Sequence, residues 1–377
     1  MLNVTNTLPR HRSESMNELW SDCIRSLEPY SPGEQPSIAQ LIKLNTNENP
    51  YPPSPEVMCA LQSAVNADLR LYPDPDGKAL KQIIAEMHGL TQANVFLGNG
   101  SDEVLAHAFR ALLKHAHPIL FPDVTYSFYP VYCALYEIEF TTVPLDDAFQ
   151  VNVLDYARPN GGIVLPNPNT PTGIAVGLVQ LRLLLEQCPH SVVVIDEAYV
   201  DFGAESATSL VKDYSNLLVI QTLSKSRSLA GLRVGFAIGH PSLVEALNLV
   251  KGCFNSYPLD RLAFAGAEAA MRDTRYFEAT RHRVMESRDW LARELKTMGF
   301  AVLPSKANFL LVRHTSRGAT DMQHELRKRR ILVRHFPKPR IAEFLRISVG
   351  TSEECKEIVR ALREILKHDL PTPAASE

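Results

Sequence analysis

Leu217-Leu218-Val219-Ile220-Gln221-Thr222-Leu223-Ser224-Lys225-Ser226-Arg227-Ser228-Leu229-Ala230-Gly231-Leu232-Arg233-Val234-Gly235-Phe236-Ala237-Ile238 decides how this chain is read. An apolar run, 217–220, leads into Lys225, and a second strand-like run, 232–238, follows it. A lysine at a strand end, beside small hydroxyl residues and with Arg233 eight positions on, suits one chemistry. Its amine can form a Schiff base with an aldehyde cofactor, while Ser224 and Arg233 hold that cofactor's phosphate. Most lysines are solvated surface residues, so the segments around Lys225 and upstream of it carry the argument.

From about Asn94, short apolar runs alternate with helical stretches. The runs are 95–97, 119–121, 138–143, 163–165, 192–195, 217–220 and 234–238, with helical candidates such as 102–113 and 176–187 between them. This alternation predicts an α/β fold whose large domain is a mostly parallel sheet sandwiched by helices. In such sheets ligands bind at the carboxyl ends of the strands. Upstream, helices are expected over 18–27, 55–65 and 77–88, with 45–55 an ordered loop rich in proline and asparagine. After a helical middle, 242–298, strands at 309–312, 331–333 and 344–349 and helices at 323–330 and 353–367 read as a smaller α+β domain. The expected organisation is a disordered extension over 1–17, an N-terminal arm over 18–44 that packs with the small domain, a large domain over 45–270, the small domain over 271–370 and a flexible tail over 371–377.

The 377 residues suggest about two domains, and 45% hydrophobic with 21% charged residues is globular composition. A net charge of −3 gives no field drawing the protein to nucleic acid or an anionic membrane. The basic run 327–330 reads as a solvated helix face. Cys23, Cys59, Cys133, Cys188, Cys253 and Cys355 form no C-x-x-C pair, which argues against a zinc or redox motif and for a reducing, cytoplasmic compartment. Segment 1–17 lacks the apolar region of a secretory signal. No run approaches the ~20 apolar residues that span a bilayer.

Three further segments place polar groups directly after predicted strands. Val192-Val193-Val194-Ile195-Asp196-Glu197-Ala198-Tyr199 is a buried strand ending in a carboxylate. A magnesium-binding Asp of a P-loop NTPase would need G-x-x-x-x-G-K-[ST] upstream, and no such segment exists. The competing reading pairs Asp196 with the ring nitrogen of pyridoxal phosphate, keeping that ring cationic and electron-withdrawing. Tyr199 could then donate to the ring hydroxyl, although alone it is better read as a core aromatic. Phe96-Leu97-Gly98-Asn99-Gly100-Ser101-Asp102-Glu103 is a strand, a glycine turn and a helix start, an anchor for one phosphate. Glu103 stands where a dinucleotide fingerprint needs its third glycine, so a nicotinamide site is disfavoured. Pro166-Asn167-Pro168-Asn169-Thr170-Pro171-Thr172-Gly173 fixes a rigid turn at a strand end.

In this order, the Ser224-Lys225 segment with Ala230-Gly231-Leu232-Arg233, Asp196-Glu197-Ala198-Tyr199 and the Pro171-Thr172-Gly173 turn resemble fold-type I pyridoxal-phosphate aminotransferases, over about Leu19 to Lys367. Leu27-Glu28-Pro29-Tyr30, Leu44-Asn45-Thr46-Asn47-Glu48-Asn49-Pro50, Leu71-Tyr72-Pro73-Asp74, the Leu97–Glu103 segment and Phe344-Leu345-Arg346-Ile347-Ser348-Val349-Gly350 look like the histidinol-phosphate aminotransferases among them. The resemblance implies pyridoxal 5'-phosphate bound to Lys225, which also moves the proton, Asp196 on the ring nitrogen, Tyr199 on the ring hydroxyl and Tyr126 stacked on the ring. It implies a phosphate region lined by Ser101, Asp102, Ser224 and Arg233, and a homodimer in which Tyr72 reaches the neighbouring subunit's cofactor. It implies Arg346 on the substrate's anionic end, assisted by Arg334 and Tyr30, with Asn47 lining the same pocket. One position departs from the family's Asn-Pro-Thr-Gly turn: Thr170 precedes Pro171, and Asn169 is expected to take over the asparagine's contact with the ring hydroxyl. The implied reaction exchanges an amino group between L-histidinol phosphate and 2-oxoglutarate, giving imidazole-acetol phosphate and glutamate. An aromatic amino-acid aminotransferase or a threonine-phosphate decarboxylase of the same architecture is the alternative. A cofactor-sensing regulator would need a DNA-binding module, for which the residues before Glu18 are too few.

Overall fold

The computed structural model describes residues 19–25 and 27–367, so the expected 1–17 extension and 371–377 tail lie outside the described residues. In chain order the helices are α1 (Asp22–Arg25), α2 (Pro55–Ala64), α3 (Lys78–Met87), α4 (Gly100–Leu112), α5 (Tyr129–Tyr136), α6 (Leu178–Gln187), α7 (Pro241–Phe254), α8 (Arg261–Arg272), α9 (Thr274–Thr297), α10 (Ala319–Lys328) and α11 (Ser352–Lys367). The strands are β1 (Ile42–Leu44), β2 (Val95–Asn99), β3 (Ile119–Pro122), β4 (Phe140–Val143), β5 (Ile163–Pro166), β6 (Val193–Asp196), β7 (Leu217–Thr222), β8 (Val234–Gly239), β9 (Phe300–Val302), β10 (Phe309–His314), β11 (Ile331–His335) and β12 (Leu345–Ser348).

Seven strands form the large sheet in the order β2-β8-β7-β6-β5-β3-β4. All run parallel except β8, which is antiparallel to both neighbours. The central strands are apolar without interruption because both faces are buried. In β6, Val193 and Ile195 face one core with α2, α3, α6 and α8, while Val194 faces the other with α4, α5 and α7. The reversed β8 has a consequence for the site. Its first residue, Val234, pairs with Asn99, so the preceding Arg233 arrives at the same sheet edge as the carboxyl ends of β6 and β7.

The second sheet has the order β1-β11-β12-β10-β9. Here β1 runs parallel to β11, with Ile42 opposite Ile331, and the remaining pairs are antiparallel. Its core takes Val284, Leu291 and Leu295 from α9, Met322 and Leu326 from α10, and Cys355, Ile358, Val359, Leu362 and Ile365 from α11, whose spacing is that of an amphipathic helix. The division between the two cores falls between α8, which packs on the large sheet, and α9, which packs on the small one.

Several elements differ from the sequence reading. The helix expected over 18–27 shrinks to the four residues of α1, none of them buried; a helix that short has no packed face to hold it. The strand expected over 138–143 begins only at Phe140, because Glu137 adopts left-handed geometry (φ 53°) and Ile138 N closes the end of α5 on Cys133 O at 2.9 Å. Neither α5 nor the three-residue strands β1 and β9 were anticipated. No helix among the described residues is long and apolar enough to cross a membrane.

Candidate active site

The carboxyl ends of β3, β5, β6 and β7, the start of α4 and the facing edge of the small domain enclose a cavity of about 440 Å³. Lys225 lies on its wall, with Nζ donating to Thr46 O at 3.3 Å and standing 5.8 Å from the Tyr199 ring centroid. Asn49 holds the lysine's backbone by donating to the carbonyls of Lys225 and Ser226 at 3.0 and 3.2 Å.

Asp196 ends β6 at 5% exposure. Burial pushes its carboxyl up to about 6, opposed by hydrogen bonds from Tyr129 Oη and Ala198 N at 2.9 and 3.2 Å. Tyr129 itself is fully buried and stays a phenol, held far above the ordinary tyrosine range by burial and by Asp196. Tyr199 Oη accepts from Asn47 Nδ2 at 3.0 Å. Asn47 is in turn fixed by Ser348, whose Oγ donates to Asn47 Oδ1 at 2.8 Å, and by Asn308, whose Nδ2 donates to Asn47 O at 3.0 Å. Ser348 and Asn308 of the small sheet's side thereby set the orientation of the tyrosine that follows β6.

A second cluster surrounds the start of α4. Arg233 pairs with Asp102 at 2.9 Å and donates to Ser224 Oγ at 3.4 Å, and Thr222 Oγ1 meets Ser224 Oγ at 2.9 Å. Tyr126 Oη donates to Asp102 Oδ1 at 3.1 Å, with its ring edge-on to Tyr129. Two glycines let this cluster close. A Cβ on Gly100 would stand 2.3 Å from Arg233 Nη2, and one on Gly235 would stand 2.3 Å from the amide N of Ser101. Ser101, Asp102, Ser224 and Arg233 therefore converge around the N-terminus of a 13-residue helix, a cradle for one phosphate.

The small domain supplies a third cluster. Arg334 and Arg346 are cross-strand partners on β11 and β12. Like charges placed opposite one another are unfavourable, and their acceptors are uncharged: Ser31 O and Pro32 O for Arg334, Asn45 O at 3.0 Å and Thr170 Oγ1 at 3.4 Å for Arg346. Arg346 Nε is buried without a partner, and burial pulls its guanidinium below the ordinary arginine range. The pair is suited to an incoming anion. Tyr30 shares this wall, 4.9 Å from the Phe128 ring, with burial raising its hydroxyl above the ordinary tyrosine range.

These residues fit pyridoxal 5'-phosphate: an amine, a carboxylate within a buried polar network, the aromatic ring of Tyr126 and a phosphate cradle share one cavity. Asn169 does not line the cavity of its own chain, and neither does Tyr72, which is expected at a neighbouring subunit's cofactor. Asn169 is buried off the cavity wall, its Nδ2 committed to Val124 O and Thr172 Oγ1 at 2.9 and 3.0 Å, and Thr170 presents its hydroxyl to the cavity instead. The backbone bonds Asn169 N to Ile174 O and Gly173 N to Asn169 O fix that orientation. Tyr72 lies outside the cavity of its own chain, stacked on Tyr257 at 4.6 Å. The sequence reading missed Tyr129, whose signal was its three-residue spacing from Tyr126. It also missed Thr46, Ser348 and Asn308, which reach the site only through packing.

The family model for class I and II aminotransferases matches residues 39–362. A histidinol-phosphate aminotransferase 1 of Methylococcus capsulatus is 59% identical over 93% of this chain and 98% of its own length. A histidinol-phosphate aminotransferase 2 of Dechloromonas aromatica is likewise 59% identical, over 93% of this chain and 99% of its own. Among solved structures, the histidinol-phosphate aminotransferase of Sinorhizobium meliloti in complex with pyridoxal-5'-phosphate superposes with a TM-score of 0.83 at 24% identity, covering 93% of this chain and 98% of that one. An L-threonine-O-3-phosphate decarboxylase from Porphyromonas gingivalis reaches a TM-score of 0.75 at 20% identity, covering 87% and 100%. At those identities the likeness is one of fold, and the fold alone does not choose between two reactions. The matches in sequence do choose: the chain belongs to the class I and II aminotransferases and, within them, to the histidinol-phosphate aminotransferase family.

Proposed function

We propose that this aminotransferase moves the amino group of L-histidinol phosphate to 2-oxoglutarate, a step of histidine biosynthesis, yielding imidazole-acetol phosphate and L-glutamate. One observation carries the reading: Lys225 shares a cavity with two separate anion sites, one built by the large domain around Arg233 and one by the small domain at Arg334 and Arg346. The first suits the cofactor's phosphate, the second the phosphate or carboxylate of a substrate. When bound, pyridoxal 5'-phosphate supplies a cationic ring that takes up the electron pair left as a proton departs the substrate's amine-bearing carbon. Asp196, steadied by Tyr129, keeps the ring nitrogen protonated. Tyr199, oriented by Asn47, holds the ring hydroxyl, with Thr170 rather than Asn169 on the neighbouring wall. Lys225 would hold the cofactor through Nζ and, with that amine free, would take the proton and return it on the cofactor's side of the substrate nitrogen. Arg346 receives the phosphate in one half-reaction and a carboxylate in the other, because its planar fork matches both groups. Arg334 and Tyr30 assist it.

The reading includes a homodimer. Tyr72 is 80% exposed, and Leu69, Leu71 and Phe254 are further exposed apolar residues on this chain. Such a surface suits a second copy whose cavity Tyr72 would enter. The cytoplasm is the proposed compartment, in keeping with the buried, unpaired thiols of Cys133, Cys188 and Cys355. A coupled assay of purified protein with L-histidinol phosphate and 2-oxoglutarate, run beside phenylalanine as donor, tests the assignment. Faster turnover of phenylalanine, or carbon dioxide release without need of a keto acid, would sink it.

A further inference from the structure

The loop between β11 and β12 begins Phe336-Pro337-Lys338-Pro339-Arg340-Ile341. Lys338 stands on the wall of the same cavity as Arg334 and Arg346. It sits between two prolines, which fix their own φ and hold the residue before each of them extended. The loop is also pinned on both sides. The Phe336 ring lies 5.4 Å from the Arg334 guanidinium and 5.3 Å from that of Arg346. Arg340 donates to Asp123 Oδ2 and to Asp146 O, both at 2.7 Å, and Ile341 and Phe344 are buried with Val124 and Leu145. Lys338 N donates to Phe336 O at 2.7 Å. The backbone is therefore held in place while the side chain stays exposed, with no ion pair among the described residues. The two carboxylates on the cavity wall are engaged elsewhere, Asp102 by Arg233 and Tyr126, and Asp196 by Tyr129.

The two proposed substrates differ at the anion that meets Arg346. A carboxylate has two oxygens and one charge, which one guanidinium fork satisfies. A phosphate monoester has three free oxygens and roughly 1.5–2 negative charges near neutral pH, so the fork leaves an oxygen and much of a charge unmet. Resting on the function proposed above, we propose that Lys338 is a specificity-determining residue: it adds its ammonium to Arg346 when the bound anion is a phosphate monoester and contributes little to a carboxylate.

The test uses the holoenzyme, K338A and K338R, in single-turnover half-reactions with L-histidinol phosphate and with L-glutamate, and with inorganic phosphate as inhibitor of the glutamate half-reaction. In K338A, kcat/KM for the phosphate donor falls about tenfold, through KM, and the inhibition constant of inorganic phosphate rises by a similar factor. The glutamate half-reaction moves less than about twofold, the scale of an exposed charge contact, and K338R restores the phosphate donor. Equal losses on both donors, or none on either, overturn the proposal. So does weakened cofactor binding by absorbance titration in K338A, which would assign the ammonium to the cofactor's own phosphate. A wild-type protein that ignores L-histidinol phosphate while K338A still loses phosphate inhibition would refute the transamination reading and uphold the role of Lys338.

Discussion

Asp196 and Tyr129 show how much of this site depends on single hydrogen bonds. Tyr129 donates to the Asp196 carboxylate and so favours its charged form, the form that pairs with a protonated ring. In Tyr129→Phe that donor is lost and the carboxyl, already at about 6, climbs further. The pH below which cofactor binding weakens should then move up by about one unit, the equivalent of a hydrogen bond to a charged group. An absorbance titration of cofactor binding from pH 5 to 8 measures this, and an unmoved profile would show that Tyr129 only fills space. Glu197, the next residue, is 2% exposed and accepts from Ser206, Ala207 N and Gln221, while burial pushes it to about 7. A carboxyl raised on folding adds stability that is complete below its unfolded value and lost as pH climbs through its folded value. Cofactor-free protein should therefore soften between about pH 4 and 7, by up to about 3 kcal/mol from this group. Thermal unfolding of Glu197→Gln should follow a flatter pH profile over that window; an identical slope would remove Glu197 as the cause.

At the scale of elements, the site is made where strands stop. The large sheet was legible in the sequence because strands buried on both faces leave continuous apolar runs, and each polar motif followed such a run directly. Short elements were not legible. The strand β1 has three residues and is held by pairing with β11, nearly 300 positions away, a contact that no local pattern announces. In the turn before Gly173, Thr170 and not Asn169 lines the cavity, a choice made by backbone bonds across the turn rather than by residue type. Gly235 of β8 was quoted within the lysine segment, yet its reason appears only in the register that brings it against the start of α4. Gly235→Ala should cost about 1–3 kcal/mol by overpacking and weaken cofactor binding as well, because the amide of Ser101 must move. Denaturant midpoint and cofactor titration report the two effects separately. A variant destabilised but with unchanged cofactor affinity would place the phosphate elsewhere.

At the scale of the whole molecule, one chain does not complete its own site if Tyr72 belongs to a neighbour's cavity. Tyr72→Phe should raise the cofactor's dissociation constant about fivefold to tenfold, the worth of one hydrogen bond to a charged group. Heterodimers of Tyr72→Phe with Lys225→Ala test which subunit provides the hydroxyl, since a shared site puts both defects in one cavity and leaves the other intact, whereas a site within one chain puts one defect in each. Activity in such heterodimers that matched a site contained within one chain would remove the dimer from the mechanism. The two cores are joined by more than the chain crossings after β1 and between α8 and α9: Tyr199 and Phe202 insert into the core of the small sheet, and Val124 and Leu145 pack with Leu311, Ile341 and Phe344. Arg334, Lys338 and Arg346 therefore stand ready around Lys225 before any substrate arrives, and little ordering remains to be done when an anion enters.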